Sequence, residues 1–472
     1  MGSKAAFPSV PGRAALLAAC VASCLAVLLL LSSCAGLQFR YASDAKVKEL
    51  LSREPAKYPQ ARFLVASDVH LYDASLGTGG SAFATKMDND RKMLVESDEI
   101  LQAAMARCAE LKPRFLVVSG DLTKDGERVC AELFARRMAE VRAAGVKVYV
   151  VPGNHDILNP QAYRYVGDRT ETVPNMSPGD FETVFKDCGY AEAFSRDPAS
   201  LSYAAEPVPG LWLLAVDSCD WTENPSRKEE KVAGALEQKQ LDWIEGILAE
   251  AASSGRAVIA FQHHGVVEHF PGEAKDFGEY LVRDHDAVAR MLAAYNVRVV
   301  FTGHYHAQDI ALRRWEDGRF LYDVETGSLA TPPCAVRLVD IDASQTMAVR
   351  SLTLPTIPSF SRAGRDFIAF GHEFIAENVS RIAVKTMKGL GIGGEEAGVL
   401  APQIGDAYNA HYRGDEKFTG KEMIRTQGLS FMGGIVVAMK RGLVEGLWND
   451  PEPADNDIDI DLSTGSWKRA GK

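Results

Sequence analysis

Five short apolar runs recur along the chain, and each stops at residues that bind metals well. Arg62 to Ala66 leads into Ser67-Asp68-Val69-His70, and Arg114 to Val118 leads into Ser119-Gly120-Asp121. Lys147 to Val151 leads into Pro152-Gly153-Asn154-His155-Asp156. Arg256 to Phe261 leads into Gln262-His263-His264, and Arg298 to Phe301 into Thr302-Gly303-His304-Tyr305-His306. Short runs of β-branched and aromatic residues closed by Gly or Pro read as buried strands. Trp212 to Val216, ending at Asp217, reads as a sixth. Between them, Met93 to Leu111, Glu127 to Ala143, Gly234 to Ala252 and Asp286 to Tyr295 carry apolar residues at helical spacing. Alternating strands and helices predict a layered α/β domain. Ligands of such sheets gather beyond the carboxyl ends of the strands, where all five runs place Asp, His or Asn.

The rhythm changes after Phe320. Phe320 to Val324, Ala335 to Ile341 and Met347 to Leu354 read as adjacent strands with turns, an antiparallel part of the sheet system. Pro355-Thr356-Ile357-Pro358 marks a boundary. Beyond it, Phe367, Ile368, Phe370, Phe374, Ile375, Val379, Ile382 and Met387 form an apolar helical stripe, which the glycines of 389–394 break. Helical stretches follow near Ala397 to Tyr412 and Thr419 to Trp448. The expected organisation is an α/β domain over 61–354, a smaller C-terminal helical domain over 359–448 and an acidic, solvated tail over 449–472. The connection from Leu71 to Asp90 reads either as a surface loop or as a lid.

Composition narrows the partners. The chain is 46% apolar and 24% charged, an ordinary globular balance. Its net charge of −11 disfavours a bulk grip on nucleic acid. The start of the chain looks like targeting sequence. Lys4 and Arg13 precede an uncharged run from Ala14 to Leu31, then Ser32-Ser33-Cys34. This order reads as a bacterial lipoprotein signal. It implies cleavage of residues 1–33, lipidation of Cys34 and an extracytoplasmic, membrane-anchored protein, with 34–60 as linker. A retained transmembrane anchor is the alternative. Five cysteines then remain, an odd number without metal or framework spacing.

Asp68, His70, Asp121, Asn154, His263, His304 and His306 are the candidate metal ligands. Imidazole with carboxylate suits Mn, Fe or Zn. Seven ligands are too many for one open tetrahedral site. They suit two ions bridged by a carboxylate, which can clamp a phosphoryl centre and generate the attacking hydroxide. A His near the ions but not bound to them could protonate the leaving group.

Asp-x-His, Gly-Asp, Gly-Asn-His-Asp, His and Gly-His-x-His, in this order on successive strand ends, resemble the calcineurin-like metallophosphoesterase superfamily. The resemblance covers Arg62 to Leu354 and implies a layered αββα sandwich. It implies one ion held by Asp68, His70 and His306 and a second by Asn154, His263 and His304. Asp121 would bridge them. It also implies that His155 protonates the leaving group or holds the phosphate, with Asp156 orienting it. His263 is chosen over His264 as the first His after its strand. Asp121 is followed by Leu122-Thr123-Lys124-Asp125-Gly126 with no Arg, unlike protein phosphatases. Gly120-Asp121-Leu122-Thr123 and Gly303-His304-Tyr305-His306-Ala307-Gln308 look more like bacterial class III cyclic-nucleotide phosphodiesterases, in particular lipoprotein members with a helical C-terminal domain. The expected activity is hydrolysis of a small phosphodiester such as a cyclic nucleotide. The alternatives are a phosphomonoesterase or phospholipid-headgroup hydrolase, or a non-catalytic lipoprotein that binds a partner. Asp217 is expected to be structural, and His269, His285, His372 and His411 to be ordinary surface or helix histidines.

Overall fold

The computed structural model describes residues 36–414 and 416–471, so Cys34 and the targeting run lie outside the described residues. Three strands open the first sheet: β1 (Ala61–Ala66), β2 (Phe115–Val118) and β3 (Lys147–Val150). They run parallel, joined by α1 (Ser97–Leu111) and α2 (Arg128–Ala143). A separate hairpin follows, β4 (Tyr163–Val166) with β5 (Arg169–Thr172). The chain then builds the second sheet from β6 (Ser195–Arg196), β7 (Tyr203–Val208), β8 (Leu211–Ala215), β9 (Ala257–Phe261), β10 (Val299–Thr302), β11 (Asp309–Arg314) and β12 (Phe320–Glu325). Here β8, β9, β10 and β12 are parallel. Helices α3 (Gln238–Ser254) and α4 (His285–Ala294) cover the outer face. β13 (Ala335–Ile341) and β14 (Thr346–Thr353) return to the first sheet beside β1.

The layers are helix, sheet, sheet, helix, and the core lies between the sheets. Phe63 of β1 stacks on Phe115 of β2 with ring centroids 4.6 Å apart. Phe63 also meets Phe301 of β10, in the opposite sheet, edge-on at 5.6 Å. Trp212, Leu214 and Val300 point the other way and pack under Leu241, Ile244 and Leu292 of the covering helices. This is the expected αββα sandwich, with one reassignment. Phe320 to Val324 pairs parallel with β10 in the second sheet, away from β13 and β14. Tyr322 lies opposite Val299 there, and both side chains are buried.

A short helix (Pro358–Ala363) and three longer ones follow β14: α5 (Phe367–Gly389), α6 (Gly394–Arg413) and α7 (Phe431–Gly446). Asp366 caps α5 by accepting from Ala369 N at 3.0 Å. Its buried side is spaced by four: Phe367, Gly371, Ile375, Val379, Ala383 and Met387. The helical stretch expected from Thr419 forms only from Phe431.

The tail departs from expectation. Residues 457–461 and 467–469 form β15 (Asp457–Asp461) and β16 (Trp467–Arg469), which extend the first sheet beside β14. Ile458 and Ile460 are buried while the aspartates alternate outward. The helical region is therefore inserted between two neighbouring strands of the sandwich. Asn456 Nδ2 donates to Arg413 O at 2.9 Å and Ile310 N to Asp455 Oδ1 at 3.2 Å, fastening its return. Residues 36–60, expected as linker, are docked as well. Arg40 N and Tyr41 N donate to the Glu245 carboxylate of α3 at 2.7 and 3.0 Å. The segment 71–90 is a packed element, with Tyr72, Leu76 and Phe83 buried against Tyr165. The five described cysteines are buried and free. No helix among the described residues is long and apolar enough to cross a membrane.

The packing of β15 gives a direct expectation. Ile460→Ala should destabilise the fold by about 2–5 kcal/mol, read from the denaturant midpoint. A change below about 0.5 kcal/mol would mean that the acidic segment is not part of the sheet.

Candidate metal centre

All seven candidate ligands meet at the carboxyl ends of β1, β2, β3, β9 and β10, and all are buried. Tight turns place them there. Asp68, His70, Asp121, His304 and His306 have positive φ values of 50°, 42°, 49°, 81° and 75°. Non-glycine residues seldom adopt this region, and such strain concentrates at functional sites. Two glycines make the crowding possible. A Cβ on Gly153 would overlap Asp121 Oδ1, and one on Gly303 would overlap Ser67 Oγ and Asp68 Oδ2.

The ligand atoms fall into three overlapping groups: Asp68, His70 and His306; His70, Asp121 and His155; and Asp121, His263 and His304. Asp121 Oδ2 lies between them, 3.5 Å from His70 Nε2 and 3.4 Å from His263 Nε2. Asn154 Oδ1 is 3.0 Å from His263 Nε2. On the other side, Asp68 Oδ1 is 3.3 Å from His306 Nε2 and 3.7 Å from His70 Nε2.

These residues fit metal ions on their own chemistry. Asp68 Oδ1 and His304 Nε2 are buried without a hydrogen-bond partner. The Nε2 atoms of His70 and His306 converge to 3.1 Å. Buried acceptors facing one another without protons to share want cations between them. Without a cation, protons take that place. Burial disfavours a charged His263, yet Asp121 beside it raises its pKa to about 9. Burial likewise opposes the charge on Asp68, but the His306 and His70 imidazoles facing its Oδ1 hold its carboxyl well below the usual range.

The structure separates the adjacent histidines. His263 Nδ1 is bonded to Ser119 O at 2.9 Å, so it carries the hydrogen and leaves Nε2 facing Asp121. His264 has both ring nitrogens engaged, with Ser218 Oγ at 2.8 Å and Val232 O at 2.8 Å.

His155 stands beside the groups, its Nε2 3.9 Å from Asp121 Oδ2. Its orienting carboxylate differs from expectation. Asp156 does not touch the ring. It accepts from Leu122 N, Thr123 N, Thr123 Oγ1 and Gly153 N at 2.7–3.0 Å, tying the second ligand loop to the third. Its carboxylate position is filled by those donors, so the ring turns to a neighbour. Asp125 Oδ1 accepts from His155 Nδ1 at 2.8 Å. Lys124, fully buried, pairs with Asp125 and with Glu127 at 2.8 Å.

Sequence reasoning also missed Arg91, Lys92 and Glu230. Lys92 Nζ is 3.4 Å and Glu230 Oε1 3.9 Å from His155 Nε2. No motif flags them, because they come from connections whose course only the fold decides. Asp125 was within reach, four residues after Asp121. Asp217 is structural, accepting from Leu201 N, Cys219 N and Trp221 Nε1. His411 lies on helix α6 as expected, buried and paired with Glu416 at 2.7 Å, whereas His269 is on neither the surface nor a helix but is buried and paired with Asp309 at 2.9 Å.

Comparison with known proteins defines the class. Residues 61–308, more than half of the chain, match the family described as calcineurin-like phosphoesterase, and the chain belongs to that family. No curated protein matches it by sequence. Among solved structures it is similar to a dimetal phosphatase from Danio rerio, at 17% identity and a TM-score of 0.44, covering 63% of this chain and 97% of that one. It is also similar to a purple acid phosphatase from yellow lupin seeds, at 11% identity and 0.39, covering 64% and 52%. A third is the phosphopantetheinyl hydrolase of Mycobacterium tuberculosis, at 14% identity and 0.28, covering 57% and 90%. All three scores are low, and the assignment rests on the family match and the residues.

The two histidines can be told apart by metal content. His263→Ala should lose about one metal equivalent per chain while His264→Ala keeps the wild-type amount, counted by elemental analysis after gel filtration. The reverse result would move the ligand to His264.

Proposed function

We propose that this protein is a dimetal hydrolase of phosphoric diesters. The position of Asp121 Oδ2 between two imidazole groups, with His155 just outside them, carries the reading. Asp68, His70 and His306 would hold one ion, and Asn154, His263 and His304 the other. Two bound ions supply Lewis acidity to the phosphoryl oxygens and acidify water at neutral pH. The remaining work falls to the chain. Lys92 and Arg91 attract and orient the anionic ester. Asp125 fixes the His155 tautomer through Nδ1, leaving Nε2 to carry the proton to the leaving oxygen. Water supplies the oxygen that replaces the alcohol on phosphorus, and one of its protons ends on that alcohol.

Diester is favoured over monoester by charge. Glu230 brings a carboxylate to 3.9 Å from His155 Nε2, on the leaving-group side. A diester carries one negative charge there and a monoester up to two. A cyclic nucleotide, the substrate class suggested by the motif resemblance, is such a diester. Anchoring through Cys34 would place this activity at a membrane surface.

With Mn supplied, the chain should cleave a chromogenic phosphodiester faster than its matching monoester. His155→Ala should lower kcat about 10²–10⁴-fold with metal content retained. Asp121→Ala should abolish turnover, and full activity in that variant would refute the dimetal reading. Glu230→Gln should narrow the diester-to-monoester ratio of kcat/KM. An unchanged ratio would remove the charge argument.

A further inference from the structure

The helical insertion lines a largely apolar cavity that ends at residues packed beside the metal centre. The cavity, of about 600 Å³, lies among α5, α6 and α7. Its walls carry Val379, Ala383, Ile404 and Val437. Its inner end is formed by Tyr280 and Arg91. Both belong to the rim of the centre. The Tyr280 ring lies 4.6 Å from the His304 ring. Arg91 Nη1 donates to the Tyr412 hydroxyl at 3.0 Å, and the Tyr412 ring is 6.3 Å from that of His306. The volume falls within the roughly 300–1,000 Å³ of small-molecule sites. Protein interiors seldom leave apolar volume of this size unfilled.

The lining is mostly apolar but carries charge as well: Arg91 and Glu279 lie beside Tyr280, and Lys440 and Arg441 of α7 also face the cavity. The cations outnumber the one carboxylate. An anionic phosphate would sit at the cations and an apolar chain along the walls. The outer side of α7 adds an independent observation. Phe431, Ile435 and Met439, spaced by four, are 83%, 37% and 69% exposed. Val437 and Val444 of the same helix line the cavity. A helix apolar on its outer side as well as its inner one suits a lipid surface.

We propose that the cavity takes an alkyl chain of a phospholipid-type phosphodiester and presents its phosphate to the metal centre. The inference rests on the phosphodiesterase reading and names its substrate class.

The test uses the full chain held in amphipol, so that no free alkyl detergent competes. With Mn present, kcat/KM is measured for p-nitrophenyl methyl, butyl and octyl phosphodiesters below their micelle concentrations. In parallel, binding of methyl, butyl and octyl phosphate to the metal-free chain is measured by calorimetry. Both kcat/KM and affinity should rise, by up to about fourfold per methylene, until the cavity is full. Ala383→Trp, which fills the cavity, should flatten both slopes. Ile404→Phe is the second filling variant should the first fail to fold. A wild-type slope of zero would overturn the inference and leave the hydrolase reading standing, as would undiminished slopes in both variants. Faster cleavage of 3′,5′-cyclic nucleotides than of every alkyl ester would also overturn it, because the space would then serve a base. Chain-length-dependent binding without turnover of any ester would support the cavity and sink the hydrolase reading.

Discussion

The rest of the site depends on one carboxylate. Asp121 Oδ2 faces His70 from one sheet and His263 from the other, at nearly equal distances. Holding an anion there demands that β1, β2, β3, β9 and β10 all end in one plane. It also demands backbone approaches that side chains forbid, which explains Gly153 and Gly303 against Asp121 and Asp68. The Asp156 clamp serves the same end. By accepting from Leu122, Thr123 and Gly153, it locks the loop carrying Asp121 to the loop carrying Asn154. Burial pushes the Asp156 carboxyl up to about 6, and Asp121 adds to that push. The clamp tolerates this cost because four donors surround it.

The helical insertion reaches the same centre by another route. Asn378 of α5, itself buried, donates to Met87 O at 3.2 Å and to Asp90 O at 2.8 Å. The Asp90 carbonyl immediately precedes Arg91 and Lys92, the cations beside the candidate ligands, and Met87 lies one turn earlier in the same segment. From the same segment, Lys86 Nζ reaches Asp90 at 3.3 Å and Asp125 at 3.6 Å. The insertion, the 81–92 segment and the carboxylate that orients His155 are thus mechanically connected. Rigid contact of this kind favours a fixed wall over a lid that swings.

What could be read from the sequence follows a physical division. The meeting of the candidate ligands was legible because each lies two to four residues beyond a buried strand, and strand plus turn fixes direction locally. The partner of His155 was misassigned because adjacency in sequence was taken for adjacency in space. Asp156 follows His155 directly, yet the turn points its carboxylate back at backbone donors, and Asp125 arrives from another loop. The tail was misread for a different reason. Asp457-Ile458-Asp459-Ile460-Asp461 alternates with the period of a half-buried strand, but its acidity suggested solvent. Alternation outweighs charge when the charged positions all face outward and Arg350 waits beside Asp459.

The division also separates chemistry from selectivity. Every candidate ligand atom comes from strand ends of the sandwich, the part that matches the family over residues 61–308. Arg91, Lys92 and Glu230 come from connections, and the cavity walls from an insertion outside that match. A rigid scaffold that fixes two imidazole groups about a carboxylate can serve any phosphoric ester. Its own surroundings decide which ester arrives. Here they are two adjacent cations, the Glu230 carboxylate 3.9 Å from His155 Nε2 and a largely apolar cavity held in place by the β14–β15 return. The insertion meets the centre in two places, at the main-chain carbonyls of 87 and 90 through Asn378 and at the 303–308 loop, where Tyr412 packs 6.3 Å from the His306 ring, so a change in the insertion can alter selectivity and is also felt beside a candidate ligand.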